Sequence, residues 1–226
     1  MNVLVTGSRG FIGKNLVASL KNIREGKDKT RGLSEELTIF EYDTDTKPSL
    51  LEDYCGRADF VFNLAGVNRP DDPRDYMKGN FGFASLLLET LKRQGNRCPV
   101  MLASSVQAEL DNPYGRSKRA CEKLASDYSK ETGVPAYIYR FPNVFGKWCR
   151  PNYNSAVATF CFNIAHGLRI RIDDPEHLLT LVYIDDVVDE LLRALGGKPT
   201  KDGDFCVTPV THAAKLGDIA ELIYSF

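Results

Sequence analysis

The 226-residue sequence predicts an α/β fold: a mostly parallel sheet with helices packed on both faces. Three observations carry that prediction. Short runs rich in β-branched and aromatic residues alternate with stretches of helical periodicity. The first such run leads through a glycine-rich turn directly into a helical stripe. The composition, 43% hydrophobic and 26% charged, suits one large domain, or one domain with an appended lobe.

The elements follow in order. "NVLVTG" (2–7) reads as a buried strand, and "FIGKNLVASL" (11–20) places Phe11, Ile12, Leu16, Val17 and Leu20 on one helical stripe. "KNIREGKDKTRG" (21–32) is a solvated helix end and loop. Strands are predicted at "LTIFEY" (37–42), "DFVFNLAG" (59–66), "PVMLASS" (99–105) and "PAYIYRF" (135–141), with helices over 80–95 and about 113–131. Past Asn143 the pattern loosens into aromatic and proline-rich loops. It closes with helices at "VVDELLRAL" (187–195), where Asp186 reads as the N-cap, and "AKLGDIAELIYSF" (214–226). This divides the chain into two lobes of one unit, 1–142 and 143–226. No internal repeat is present.

Composition narrows the function classes. A formal net charge of -1 gives no reason to invoke nucleic acid. The N-terminus runs straight into a strand pattern without a basic and apolar leader, and no stretch approaches the ~20 apolar residues of a membrane span, so a cytoplasmic location is expected. The six cysteines are scattered without a C-x-x-C pair and read as reduced structural thiols, and with three histidines they offer no metal-ligand spacing.

Two motifs carry chemistry. "TGSRGFIG" sets Gly7, Gly10 and Gly13 between a strand and a helix, where backbone can approach a pyrophosphate and the helix N-terminus presents N–H groups to it. The spacing is G-x-x-G-x-x-G, and a tight turn with close helix–sheet packing is the plainer alternative. "NPYGRSK" (112–118) sets Tyr114 and Lys118 four residues apart, on one face of a helix. A nearby cation favours the phenolate and would draw the tyrosine pKa down. Taken alone, a surface Tyr–Lys pair is the simpler reading. For the dinucleotide, Arg9 is placed to meet an adenosine ribose phosphate, as in NADP, whereas Asp43 sits where a carboxylate would hold the free hydroxyl of NAD; Lys47 would offset Asp43 if its loop folds back.

Glycine loop, "NLAG", the serine pair of "ASSVQAE", "PYGRSK" and "RFPNVFG" stand in the order found in extended short-chain dehydrogenases/reductases, and the chain resembles that family over nearly its whole length. "RFPNVFGKWCRPNYNSAVATFCFNIAHG" (140–167) is similar to the reductase half of bifunctional capsular-polysaccharide enzymes that make UDP-2-acetamido-2,6-dideoxy-L-talose. The resemblance implies a Rossmann-type doubly wound parallel sheet forming a dinucleotide-binding lobe, 1–142, with a smaller C-terminal substrate-binding lobe, 143–226. It implies a cupin epimerase domain expected to follow the reductase but to be absent from this chain. It also implies a homodimer through the helices at 80–95 and 113–131. It gives Tyr114 the role of general acid towards a sugar ketone, Lys118 that of nicotinamide-ribose ligand, and Ser105 that of hydrogen-bond partner to the ketone oxygen. Ser104, on the opposite face of its strand, is then a satisfied core hydroxyl.

By the same resemblance Gly7, Arg9, Gly10, Phe11, Ile12, Gly13 and Asp43, with Leu64, Ala65 and Gly66 beneath, hold the cofactor, NADP(H) preferred and NAD(H) possible. Phe141, Pro142 and Val144 meet its carboxamide end. Asn143 contacts the sugar, and Lys147 and Arg150 the diphosphate. Asn80 matches a family asparagine but is equally explained as a helix cap, and Trp148 is expected to pack. Departures discriminate among reactions. Val106 and Gln107 replace the Asp–Glu pair of sugar-nucleotide dehydratases, and no Cys–His pair of epimerase–reductases is present. The arginine that commonly precedes "Y-x-D-D" is missing, leaving Lys147, Arg150, Arg169 or Arg171 for the diphosphate. The function implied is NADP(H)-dependent reduction of the 4-keto group of a UDP-linked 6-deoxy-N-acetylhexosamine. The alternatives are an NAD-dependent UDP-sugar 4-epimerase and a non-catalytic dinucleotide-binding module.

Overall fold

The structure is a computed structural model describing residues 1–153 and 155–226. Its first half alternates strand and helix, with two helical segments between β3 and β4: β1 (Asn2–Thr6), α1 (Phe11–Arg24), β2 (Thr38–Tyr42), α2 (Leu50–Arg57), β3 (Phe60–Asn63), α3 (Arg74–Tyr76), α4 (Phe83–Arg93), β4 (Val100–Ser105), α5 (Pro113–Thr132) and β5 (Ala136–Phe141). Then come β6 (Asn143–Phe145), α6 (Ala156–Ala165), β7 (Leu178–Tyr183), α7 (Ile184–Leu195), β8 (Lys201–Asp202), β9 (Phe205–Cys206), β10 (His212–Lys215) and α8 (Leu216–Tyr224).

Seven strands form one sheet in the order β2-β1-β3-β4-β5-β9-β8, parallel except for the β8–β9 pair. This is the Rossmann-type doubly wound sheet expected. Strand alternation supplies both covered faces. Val3, Val5 and Phe62 point into a cluster with Leu16 and Leu20 of α1 and Val187 and Leu191 of α7. Leu4 and Val61 point the other way, against Leu51 of α2, Leu87 and Leu91 of α4 and Tyr128 of α5. With β2 on one side of β1 and β3 on the other, the winding direction reverses at β1. A crevice opens there at the carboxyl ends of the strands, the usual ligand position in such sheets.

Local signals fix α5. The Asn112 side chain accepts a hydrogen bond from the Gly115 N–H (2.7 Å), Pro113 sits in the first turn, and Gly133 ends the helix at φ +72°. Two predicted caps are corrected. The 80–95 helix has no end at Asn80: α3 continues through a π-helical turn, Met77–Gly82, into α4, and Asn80 lies buried inside it. Helix α7 begins three residues earlier than predicted, with Tyr183 at its N-cap and Asp186 in its first turn, where the carboxylate favours the helix dipole without capping.

Past Asn143 the chain serves two layers. β6 and β10 flank β7 in a three-stranded sheet, with a cluster of Phe160, Leu181, Ile219 and Ala220 joining it to α6 and α8. α7, β8 and β9 return to the large sheet. Four cysteines (Cys55, Cys98, Cys121, Cys206) are buried, and burial pushes the thiols of Cys55 and Cys98 up to about 12, far from reactive thiolate character. Among the described residues no helix is long and apolar enough to cross a membrane.

Candidate active site

The glycine loop closes tightly on its neighbours. Gly7 has φ +66°, and a Cβ there would lie 2.7 Å from the Ala65 nitrogen; on Gly13 it would lie 2.1 Å from the Gly7 carbonyl oxygen. No side chain fits at either position. Gly10 forms the N-cap of α1 with extended backbone and no side-chain cap, so the first-turn N–H groups are not occupied by a capping side chain. At the end of β2, the Asp43 carboxylate accepts hydrogen bonds from the backbone N–H of Arg9 (2.7 Å) and of Thr44 (2.8 Å). The Arg9 guanidinium pairs with Asp45. Arg9 and Asp43 thus occupy one corner of the crevice, and Lys47 is exposed outside it.

β4 and α5 supply Ser104, Ser105, Tyr114 and Lys118. Ser104 points into the core, donating to a Glu122 carboxylate oxygen (2.5 Å), as its position on the strand predicts. Arg140 closes the other side of that carboxylate with two hydrogen bonds, 2.9 and 2.7 Å. Ser105 points into the crevice, where its Oγ accepts from the Gln107 N–H (3.2 Å). Tyr114 lies in the first turn of α5 and Lys118 one turn on. The Lys118 Nζ stands 5.7 Å from the Tyr114 ring centroid and donates to the Ala103 carbonyl (3.0 Å).

The electrostatics correct one expectation. Burial pushes the Tyr114 phenol up to about 12, against an opposing hydrogen bond from Ser105, and burial likewise draws the Lys118 ammonium down. Lys118 does not bring the phenol towards neutrality, because loss of solvent is the largest influence on both groups. Asn80 binds the segment beneath: its Oδ1 accepts from the Val67 N–H (2.7 Å) and its Nδ2 donates to Ser117 Oγ (2.9 Å). Gly66 fits between, since a Cβ there would lie 3.0 Å from Asn80 Oδ1 and 3.3 Å from Lys118 Nζ.

These groups line one cleft of about 1370 Å³. Gly7, Arg9, Gly10, Phe11, Ile12, Gly13, Asp43, Leu64 and Gly66 form part of its lining. Ser105, Tyr114 and Lys118 line it as well, as do Phe141, Pro142, Asn143, Val144 and Arg150. Ala65 lies beneath Gly7 instead, and Lys147 points away, paired with Asp185 at 2.7 Å. Trp148, expected to pack, is 55% exposed and lines the cleft. Sequence reasoning passed over Tyr76, whose ring meets Tyr114 edge-on with centroids 5.5 Å apart, and His177 and Tyr153, which also line the cleft. Tyr76 precedes the predicted helix start, and neither of the others stands in a recognisable motif.

The donor set fits a dinucleotide. A side-chain-free cradle meets the uncapped helix N-terminus, and a buried ammonium with three N–H donors spends one on Ala103. The cleft has room for a second ligand beside it.

Comparison with known proteins agrees with this geometry. Residues 3–205 match the NAD dependent epimerase/dehydratase family. The chain is 42% identical over all 226 residues to a UDP-2-acetamido-2,6-beta-L-arabino-hexul-4-ose reductase of Pseudomonas aeruginosa, covering 58% of that protein. It superposes on the capsular polysaccharide assembling protein CapF of Staphylococcus aureus with a TM-score of 0.85 and 42% identity, over the whole of this chain and 58% of that one. A UDP-glucuronate 4-epimerase of Arabidopsis thaliana is 27% identical, over 86% of this chain and 51% of its own length. The chain therefore spans a little over half the length of these relatives. With the family match covering most of its length and the cleft built as described, the chain belongs to the NAD dependent epimerase/dehydratase family.

Proposed function

We propose that the chain catalyses NADP(H)-dependent reduction of the 4-keto group of a UDP-linked 6-deoxy-N-acetylhexosamine, in the making of a capsular or surface polysaccharide precursor. The observation that carries this reading is the convergence of Ser105, Tyr114 and Lys118 with the glycine cradle in one cleft. The 42% identical relative named for reduction of a UDP-linked hexulose supports it. When bound, the nicotinamide supplies a hydride. Ser105 then holds the ketone oxygen, Tyr114 gives that oxygen its proton, and Lys118 binds the nicotinamide ribose. A phenol held up to about 12 is fully protonated at neutral pH, the state that a reduction requires of its acid. Asn143 and Arg150 contact the nucleotide sugar.

Two features support NADP(H). The Asp43 carboxylate already accepts two backbone N–H groups, and the Arg9–Asp45 pair is solvent-exposed and easily given up for a phosphate. Asp43 nonetheless lines the cleft, and use of NAD(H) is the second reading, shared with an NAD-recycling 4-epimerase. The reading also includes a cytoplasmic homodimer and, in the longer protein, a following cupin epimerase domain.

The test follows nicotinamide absorbance with NADPH or NADH and a UDP-4-keto-6-deoxy-N-acetylhexosamine, with and without an added epimerase. Oxidation of NADPH only with the epimerase present is expected, marking a reductase of the epimerised ketone. Silence with both cofactors in both arms would overturn the reading.

A further inference from the structure

Trp148 is the one tryptophan of the sequence, and the fold holds it in an unusual way. Its backbone φ is +66°, a conformation that bulky residues rarely adopt and that persists only where surroundings impose it. Three contacts do so. The Cys149 N–H bonds back to the Gly146 carbonyl (3.2 Å), closing a turn around Trp148. Asn15, buried in α1, donates to the Lys147 carbonyl (3.1 Å), and the Lys147 ammonium pairs with Asp185 at the start of α7 (2.7 Å). The turn is thereby docked on α1 and α7 together. Yet the side chain so carefully held is 55% exposed and fills no core.

Where the indole stands gives the reason. It lines the main cleft, which includes Gly10, Phe11 and Lys14. It also lines a smaller cavity of about 370 Å³ beside α1, together with Arg9 and Lys14. Trp148, with Arg9 and Lys14, thus lines both of two spaces at the N-terminal turn of α1. The cations Arg9 and Lys14 and the uncapped helix N-terminus gather there, and all of them attract an anion. Indole adds a flat apolar face and an N–H that only donates.

We propose that Trp148 is a dinucleotide-binding residue: it walls the glycine-loop end of the cleft and grips the diphosphate-bearing half of the cofactor there. This deepens the proposed function and rests on its dinucleotide reading. It also assigns the 146–149 turn, with Asn15 beneath it, as the device that holds the indole in place.

The experiment titrates wild type, Trp148→Phe and Trp148→Ala with NADPH and with ADP-ribose, which carries the diphosphate but no nicotinamide, by calorimetry. Melting temperatures are recorded for each. In the wild type, ADP-ribose is expected to change the emission of this single indole. Trp148→Ala is expected to weaken both ligands about tenfold, with Trp148→Phe between it and wild type. The position is exposed, so the variants should melt within a few degrees of wild type. Both variants binding both ligands within about twofold of wild type would overturn the proposal and leave the dinucleotide reading standing. Wild type binding neither NADPH nor ADP-ribose would overturn both.

Discussion

Among single residues, Tyr114 carries the acid role in the proposed reduction, and it lines the cleft. Its phenol is raised from the ordinary value of 10.0 to about 12, so the native state holds that proton more tightly than the unfolded chain does. Stability linked to this group is fully present below about pH 10 and is lost as pH rises through about 12. Chemical denaturation across that window should therefore show a fall in stability. Tyr114→Phe should make the fall shallower by one proton's worth, and Tyr128, also raised to about 12, accounts for part of what is left. An equally steep fall in the variant would contradict the assignment. The spacing of Tyr114 and Lys118 was legible because helical geometry is local. The direction of the tyrosine shift was not, because burial comes from β4, the Tyr76 ring and the other residues lining the cleft, which no local pattern reports. Trp148 misled for the same reason: a large aromatic reads as core until its exposure is known.

Single elements are held by contacts that the sequence reveals unevenly. The glycine triplet announced the β1–α1 turn, and its geometry leaves no room for substitution. Gly13→Ala puts a Cβ against the Gly7 carbonyl, and it should cost about 1–3 kcal/mol in urea denaturation as well as weaken dinucleotide binding. The join between β4, β5 and α5 was invisible by comparison. Glu122, 5% exposed, accepts from Ser104 and twice from Arg140, linking the strand that carries Ser105 to the helix that carries Tyr114 and Lys118. Glu122→Ala removes these hydrogen bonds while Arg140, 20% exposed, keeps its pair with Glu109, so it should lose about 1–3 kcal/mol. A loss below about 1 kcal/mol would show that the join does not hold the elements. Asn80 and Asp186 were misread as caps because a polar residue near a helical pattern looks like an end. The π-helical turn and the early start of α7 place both inside helices instead.

For the whole molecule, the cleft lies between the carboxyl ends of the large sheet and the three-stranded sheet of β6, β7 and β10. The first of these followed from strand–helix alternation; the second did not, because short strands in a loop-rich stretch carry little periodicity. This assembly separates two residues that sequence treats alike. Arg150 lines the cleft, whereas Lys147 turns to Asp185. Arg150→Ala should raise the KM for the nucleotide sugar about tenfold or more. Lys147→Ala should change it less than threefold and, as half of an exposed pair, cost no more than about 1 kcal/mol. Equal effects would place the diphosphate elsewhere. Whether Ser105, Tyr114 and Lys118 carry out the proposed ketone reduction is read by comparing wild type with Tyr114→Phe. NADPH oxidation would be followed with the UDP-linked 4-keto-6-deoxy sugar, epimerised beforehand, alongside NADPH affinity. Turnover in the variant should fall about 10²–10⁴-fold with the affinity for NADPH unchanged. Turnover at the wild-type rate in the variant would contradict that proposal.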